Sequence, residues 1–422
     1  MWQSLYLLAV LSTSRLVSTR PALGSRHATS ASFDYLIGPS VVEVPSRIRN
    51  VFPAENFNRN VTTTWWMTEV LNGEKTSAYE ETVEVLTNAS IIVLDQDMYK
   101  LLGTDNYKET KDVENIFKFP PGPTWAKRVV HDGTVYSPEC NCIYFAELNP
   151  PKEGFSSQAL EYIWSISLDE DKPVTEKIYP SPPITMANGA YYHNGSVYWA
   201  QEGNYTVPGG IVRMDPTSLE TEVVLNNFFG HRFNSPNDVV ITRDAVAYFT
   251  DGYYGFDNFN DTVKPELANG VWRWDMKTDN LRMISGAGGG PFTNPNGVAL
   301  NLHENRLYVT NRGNSSDNPA GGRTIYEFEL HDEGLPVTGG NVFAYVDSGF
   351  PDGIKVDQDG RVYGGITGGV IVYDSTGKLL GMIKVAEGDV AVNMQWVDDW
   401  LYIVGRSYIY RVQLNTKGVQ TF

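Results

Sequence analysis

Residues carrying a carboxylate or amide oxygen recur along this chain of 422 residues, each leading into a short apolar run: Asp132, Asn188, Asn237, Asn296, Asp352 and, less clearly, Asn393. The sharpest examples are Asn234-Ser-Pro-Asn-Asp-Val-Val-Ile241, Asn294-Pro-Asn-Gly-Val-Ala-Leu300 and Pro351-Asp-Gly-Ile-Lys-Val356. Taken singly, such residues are ordinary turn formers. Several in matching register suggest a ring of oxygens, and without clustered His or Cys such a ring suits a hard divalent cation. Calcium takes roughly six to eight oxygen ligands in irregular geometry, whereas magnesium or manganese takes fewer.

Positioning these oxygens together requires a repeated element. Each anchor opens an apolar run that a short turn joins to a second run, as in Ala247-Tyr-Phe-Thr-Asp-Gly252 or Leu307-Tyr-Val-Thr-Asn311, the grammar of a β-hairpin. The anchors lie about 40 to 60 residues apart, the length of one four-stranded blade with variable loops. The spacing therefore predicts an all-β fold, a six-bladed β-propeller over residues 85–422, with the anchors facing one end of the central channel. Residues 21–84 read as an irregular N-terminal extension. The strand-like Ser90-Ile-Ile-Val-Leu-Asp95 is expected to complete the last blade beside Trp400-Leu-Tyr-Ile-Val404 and Tyr408-Ile-Tyr-Arg-Val412, removing an exposed sheet edge.

Composition narrows the function classes. The formal charge is −17, from 50 acidic against 33 basic residues, so a phosphate backbone would be repelled and nucleic acid is excluded as a partner. Residues 1–20 read as a signal peptide: the apolar Ser4-Leu-Tyr-Leu-Leu-Ala-Val-Leu11 precedes small residues but is too short to span a bilayer. Glycosylation sequons at Asn60, Asn88, Asn194, Asn204, Asn260 and Asn314 fit a secreted glycoprotein. No later run is long enough for a membrane span. Cys140 and Cys142 read either as inert turn residues or as a local disulfide.

The paired signatures Ser235-Pro-Asn-Asp-Val-Val240 with Tyr248-Phe-Thr-Asp251, Asn294-Pro-Asn-Gly297 with Leu307-Tyr-Val-Thr310, and Pro351-Asp-Gly353 with Asp359-Gly-Arg-Val362 resemble the gluconolactonase, regucalcin and fungal lactonohydrolase superfamily, distantly similar to paraoxonases. The resemblance implies a six-bladed propeller with a divalent cation in the channel, calcium first and magnesium or manganese as alternatives. It implies cation ligands at Asn237, Asn296 and Asp352, with the fourth position on Asp132, where the family usually carries Glu. One methylene shorter, Asp132 leaves three outcomes open: a cation shifted toward the first blade, a bridging water, or a weakened site.

For chemistry, the resemblance implies Asp352 as general base, although a metal-bound carboxylate is a weakened one. His131 is a second catalytic candidate, but adjacent strand residues face opposite sides. Asn188 is implied to hydrogen-bond substrate, and Asp251, Tyr253 and Tyr254 are expected at the channel mouth. Two functions follow for a small-molecule substrate with no obligate protein partner. One is a metal-dependent hydrolase opening a lactone or similar cyclic ester. The other is a non-hydrolytic enzyme of fungal secondary metabolite biosynthesis, guiding dehydration to a quinone methide and hetero-Diels–Alder cyclisation.

Overall fold

In the computed structural model, the described residues are 35–44, 86, 89–119, 130–149, 160–168, 173–259, 262–286, 292–313, 322–331, 334–336, 340–346, 350–386 and 388–419. The signal segment and the sequons at Asn60, Asn88, Asn260 and Asn314 lie outside them. The short apolar runs do become strands, and they gather into six sheets of at least four strands, antiparallel but for one parallel pair. Blade one holds Val130–Ser137, Cys142–Asn149, Leu160–Ser167 and Thr175–Ile178. Blade two holds Ala187–His193, Ser196–Gln201, Gly210–Met214 and Thr221–Leu225; blade three holds Pro236–Ile241, Val246–Asp251, Gly270–Asp275 and Asn280–Gly286. Blade four holds Pro295–Leu300, Arg306–Arg312, Arg323–Glu329 and Asn341–Tyr345. Blade five is built on Ile354–Val356, Val362–Ile366, Gly369–Tyr373 and Leu379–Lys384, and blade six on Ala391–Val397, Trp400–Gly405 and Tyr408–Gln413.

The first strand of each blade lies beside the first strand of the next, and blade six returns to blade one, so the sheets close into a β-propeller. Closure happens differently from the sequence expectation. Ile91–Val93 pairs with Leu379–Lys384 of blade five, Gly381 opposite Val93. The strand completing blade six is Glu114–Lys118, with Tyr408 opposite Lys118. Nor is the N-terminal extension irregular throughout: Val41–Glu43 lies parallel to Ile91–Val93, and Leu36–Ile37 pairs with Val41–Glu43, widening blade five's sheet to seven strands. A six-residue helix, Asp97–Leu102, buries Met98, Leu101 and Leu102 against blades five and six, and the left-handed Gly103 ends it. Among the described residues no helix is long and apolar enough to cross a membrane.

The core sits between blades, as stacked sheets require. Tyr198, Ala200 and Ile211 of blade two pack with Val239, Phe249 and Trp272 of blade three. Phe249 and Trp272 stack with ring centroids 6.3 Å apart, and Phe233 meets both edge-on. Burying one such side chain contributes about 2 kcal/mol. In the turn leading to Cys142–Asn149, Cys140 and Cys142 form a disulfide with Cα atoms 5.1 Å apart, which decides between the two readings of that pair.

Candidate metal centre and active site

Three features of the repeat present its anchors. The first is a cap at the end of the second strand of a blade. Asp251 accepts hydrogen bonds from the backbone N–H groups of Asn234 and Ser235 and from Asn234 Nδ2, at 3.1, 2.8 and 3.0 Å. Asn311 does the same one blade on, its Oδ1 accepting from Thr293 and Asn294 N–H. Gln201 Oε1 accepts from Thr185 N–H in blade two. These residues hold the loop that leads into each anchor. Asp251 is accordingly a fully buried cap rather than a residue of the channel mouth, and burial pushes its carboxyl up to about 7 against the lowering effect of its hydrogen bonds.

The second feature is a threonine just before that cap, which ties one blade to the next. Thr250 Oγ1 donates to the carbonyl of Asn296, and Thr310 Oγ1 donates to the carbonyl of Asp352 at 2.8 Å. The third is the glycine after an anchor. A Cβ on Gly297 would sit 2.7 Å from the Asp352 carbonyl oxygen, and one on Gly353 would sit 2.3 Å from the Asn393 side chain. The Asn-Gly and Asp-Gly pairs thus record how closely the inner strands approach around the channel.

The anchors Asp132, Asn188, Asn237, Asn296, Asp352 and Asn393 are all buried. Among the described residues, Asn237 Oδ1 and Asn296 Oδ1 have no hydrogen-bond partner. Asn296 is fixed with its Nδ2 donating to the Tyr254 hydroxyl at 3.1 Å, and that hydroxyl donates to the Asn294 carbonyl at 3.2 Å. Tyr254 therefore orients a ring amide so that the amide oxygen is left over. Tyr253 instead braces the loop: its N–H donates to Asn294 Oδ1, its hydroxyl donates to the Leu267 carbonyl, and that hydroxyl accepts from Asn269 N–H.

Charge is concentrated here as well. Burial, reinforced by the nearby Asp238 and Asp352 carboxylates, holds the Asp132 carboxyl well above the usual carboxylate range. Asp238 is also raised, chiefly by burial, while Lys355 and the N–H groups of Val298 and Val239 oppose the shift. Those N–H groups donate to both Asp238 oxygens, so Asp238 staples blade three to blade four. Asp132 accepts from Gly133 N–H and from Asn393 Nδ2, and Asn393 Oδ1 accepts from Met394 N–H. The weak sixth anchor is thus a partner of the first. His131 lies in the strand Val130–Ser137, and its side chain lies outside the described residues.

Glu202 was not foreseen. It is buried at the end of blade two's second strand, and Asn188 Nδ2 donates to its Oε1. The Asn188 amide donor expected to face substrate is therefore turned to Glu202. No compact group of three or more His, Cys, Asp or Glu side chains is assembled to hold a metal among the described residues, so any cation site here must draw on the amide oxygens. The fit is favourable: buried amide carbonyls lacking a donor, beside mutually repelling carboxylates, are what a hard cation satisfies.

A closed propeller whose inner strands present oxygens at one end of the channel defines a class of channel-centred propeller proteins. Within it, this chain belongs to the family described as SMP-30/Gluconolactonase/LRE-like region, which matches residues 168–403. It is similar to lactonohydrolase oryL of Aspergillus oryzae, 26 % identical over 364 residues that cover 80 % of this chain and 78 % of that protein. It is similar to a gluconolactonase of Zymomonas mobilis, 30 % identical over 235 residues covering 53 % of this chain and 62 % of that one. A solved gluconolactonase from Xanthomonas campestris superposes with a TM-score of 0.60 at 21 % identity, covering 77 % of this chain and 95 % of that one. A calcium-binding protein, regucalcin, from Agrobacterium tumefaciens gives 0.50 at 12 % identity over 74 % and 96 % of the two chains. The structural likenesses speak for the fold. Asp132 lies before the matched family region, in blade one.

Proposed function

We propose that this protein is a lactone hydrolase whose site holds a divalent cation, calcium before magnesium or manganese. The observation that carries the reading is the pair of buried, unpartnered amide oxygens of Asn237 and Asn296 beside the carboxylates of Asp132 and Asp352. Those four residues would hold the cation. When bound, it supplies Lewis-acid polarisation of the lactone carbonyl and offsets the charge that develops on that oxygen. Asp352 takes a proton from the attacking water, with His131 as the second candidate base. The water oxygen forms the new bond to the carbonyl carbon, the ring C–O bond breaks, and the released alkoxide takes up a proton to give a hydroxy acid. Tyr254 and Glu202 keep the amides of Asn296 and Asn188 in one orientation throughout. The names of the curated relatives favour lactone opening over the cyclase alternative.

A panel of aldonolactones, aromatic lactones and aryl esters tests this. Cation-dependent acid release with one oxygen incorporated from labelled water is expected. No turnover across the panel, together with cyclisation of a quinone-methide precursor that continues after the metal is stripped, would replace the hydrolase with a template for cycloaddition. Entry to the secretory pathway belongs to the same reading: Asn194 is exposed at a hairpin turn. A glycan-dependent mass shift that is reduced in Asn194→Gln supports it, and protein retained inside the cell without any glycan contradicts it.

A further inference from the structure

We infer that Arg312 is a specificity residue that reads an anionic group on the substrate, so that the preferred lactone carries a carboxylate besides its ring ester. This inference rests on the hydrolase reading above. Arg312 ends the second strand of blade four, at the anchor end of the channel, and is half-buried. Its guanidinium lies over the Phe350 ring at 4.0 Å and over the Tyr254 ring at 5.6 Å. Tyr254 is hydrogen-bonded to the ring residue Asn296, and Phe350 stands two residues before Asp352, so Arg312 bridges the supports of two proposed cation ligands.

Five arginines pair with acids: Arg213 with Glu222, Arg243 with Glu304, Arg306 with Glu327, Arg361 with Asp357 and Arg411 with Glu114, while Arg232 donates to the carbonyls of Asn204, Tyr205 and Thr206 and Arg323 to the Tyr345 hydroxyl. Arg312 has no such carboxylate partner among the described residues. Contact with aromatic rings does not use up the N–H donors of a guanidinium, the fork that matches a carboxylate in two parallel hydrogen bonds. A cation held beside a site rich in Asp and Glu also lowers the electrostatic cost of admitting an anion there.

The test uses matched pairs of lactones that differ only in a carboxylate or a carboxamide, beginning with γ-carboxy-γ-butyrolactone and carboxyphthalide. Wild type is expected to favour the acid of at least one pair by about tenfold or more in kcat/KM, carried by KM. Arg312→Gln should shrink that preference to within about threefold, and Arg312→Lys should keep part of it. Calorimetry with the ring-opened hydroxy diacids against their carboxamides reads the same preference without turnover. Binding that depends on Arg312 without hydrolysis of any lactone would sink the hydrolase reading and keep the anion site. Hydrolysis with no acid preference, or equal losses on acid and amide in Arg312→Gln, would overturn the role of Arg312 and leave the hydrolase standing.

Discussion

The two ends of the channel differ in kind. At the end opposite the anchors, the hairpin turns of blades three and four enclose a cleft of about 740 Å³ lined by Thr242, Tyr248, Arg273, Arg282, His303 and Glu304 among others. Its polar groups are largely matched locally. Glu304 pairs with Arg243 at 3.1 Å, Asp275 Oδ1 accepts from Lys277 and Thr278 N–H, and the Tyr248 hydroxyl donates to the Gly334 carbonyl. At the anchor end, amide oxygens lack partners and carboxylates repel one another. Volume marks where loops leave room. Buried polarity without a partner costs folding free energy and marks where a ligand is needed.

The sharpest way to break this contrast is to disarm each end in turn. Asp352→Asn keeps size and one oxygen but removes the charge, and it should cut kcat on a good lactone by about a thousandfold, with a smaller change in KM. Arg282→Ala in the opposite cleft should change neither parameter by more than about twofold. Steady-state kinetics of both variants decides, and the reverse pattern would move the active site to the cleft.

Gly297→Ala probes the packing that brings the anchors together. Its Cβ would press on the backbone of Asp352, Gly353 and Ile354, where nothing can rotate away. A loss of about 1–3 kcal/mol in denaturant unfolding is expected, with weaker cation binding. Wild-type stability would show that the inner strands have slack.

Asp251 separates capping from catalysis. Its carboxyl is raised to about 7, so the folded state binds a proton that the unfolded chain releases near its ordinary value. The sign follows: this contribution is present below the unfolded pKa and is lost as pH rises toward the folded value, a drop of about 4 kcal/mol at most. Unfolding midpoints measured from pH 4.5 to 7.5 should fall more steeply in wild type than in Asp251→Asn. Parallel curves would remove Asp251 as the titrating group.

Tyr254→Phe is the mildest change. It removes the hydroxyl that receives Asn296 Nδ2, leaving that donor buried and the amide able to turn, at a cost of about 1 kcal/mol. Cation affinity measured by calorimetry should drop by severalfold, and equal affinity would show that Asn296 is oriented by something else.

Much of this was legible because the constraints fall on short segments. A glycine must follow Asn296 and Asp352, a threonine must reach the next anchor, and a capping oxygen must end the second strand, so each repeat spells out its own geometry. Asp251 was expected at the mouth because it follows an inner strand, whereas that same position in the repeat is the one at which Gln201 and Asn311 cap loops. Closure was harder. Both Ile91–Val93 and Glu114–Lys118 are short strands from the N-terminal region, and only long-range pairing assigns one to blade five and the other to blade six. Glu202 escaped notice because it is not itself an anchor, and its partner Asn188 lies across the blade's first hairpin.

Hydrolysis at the anchor end requires a bound cation there. Elemental analysis of protein purified without added metal should find about one equivalent of a divalent ion, with a melting midpoint that falls on chelation and recovers with calcium. Less than about a tenth of an equivalent, and a midpoint unmoved by chelator or added calcium, would contradict it.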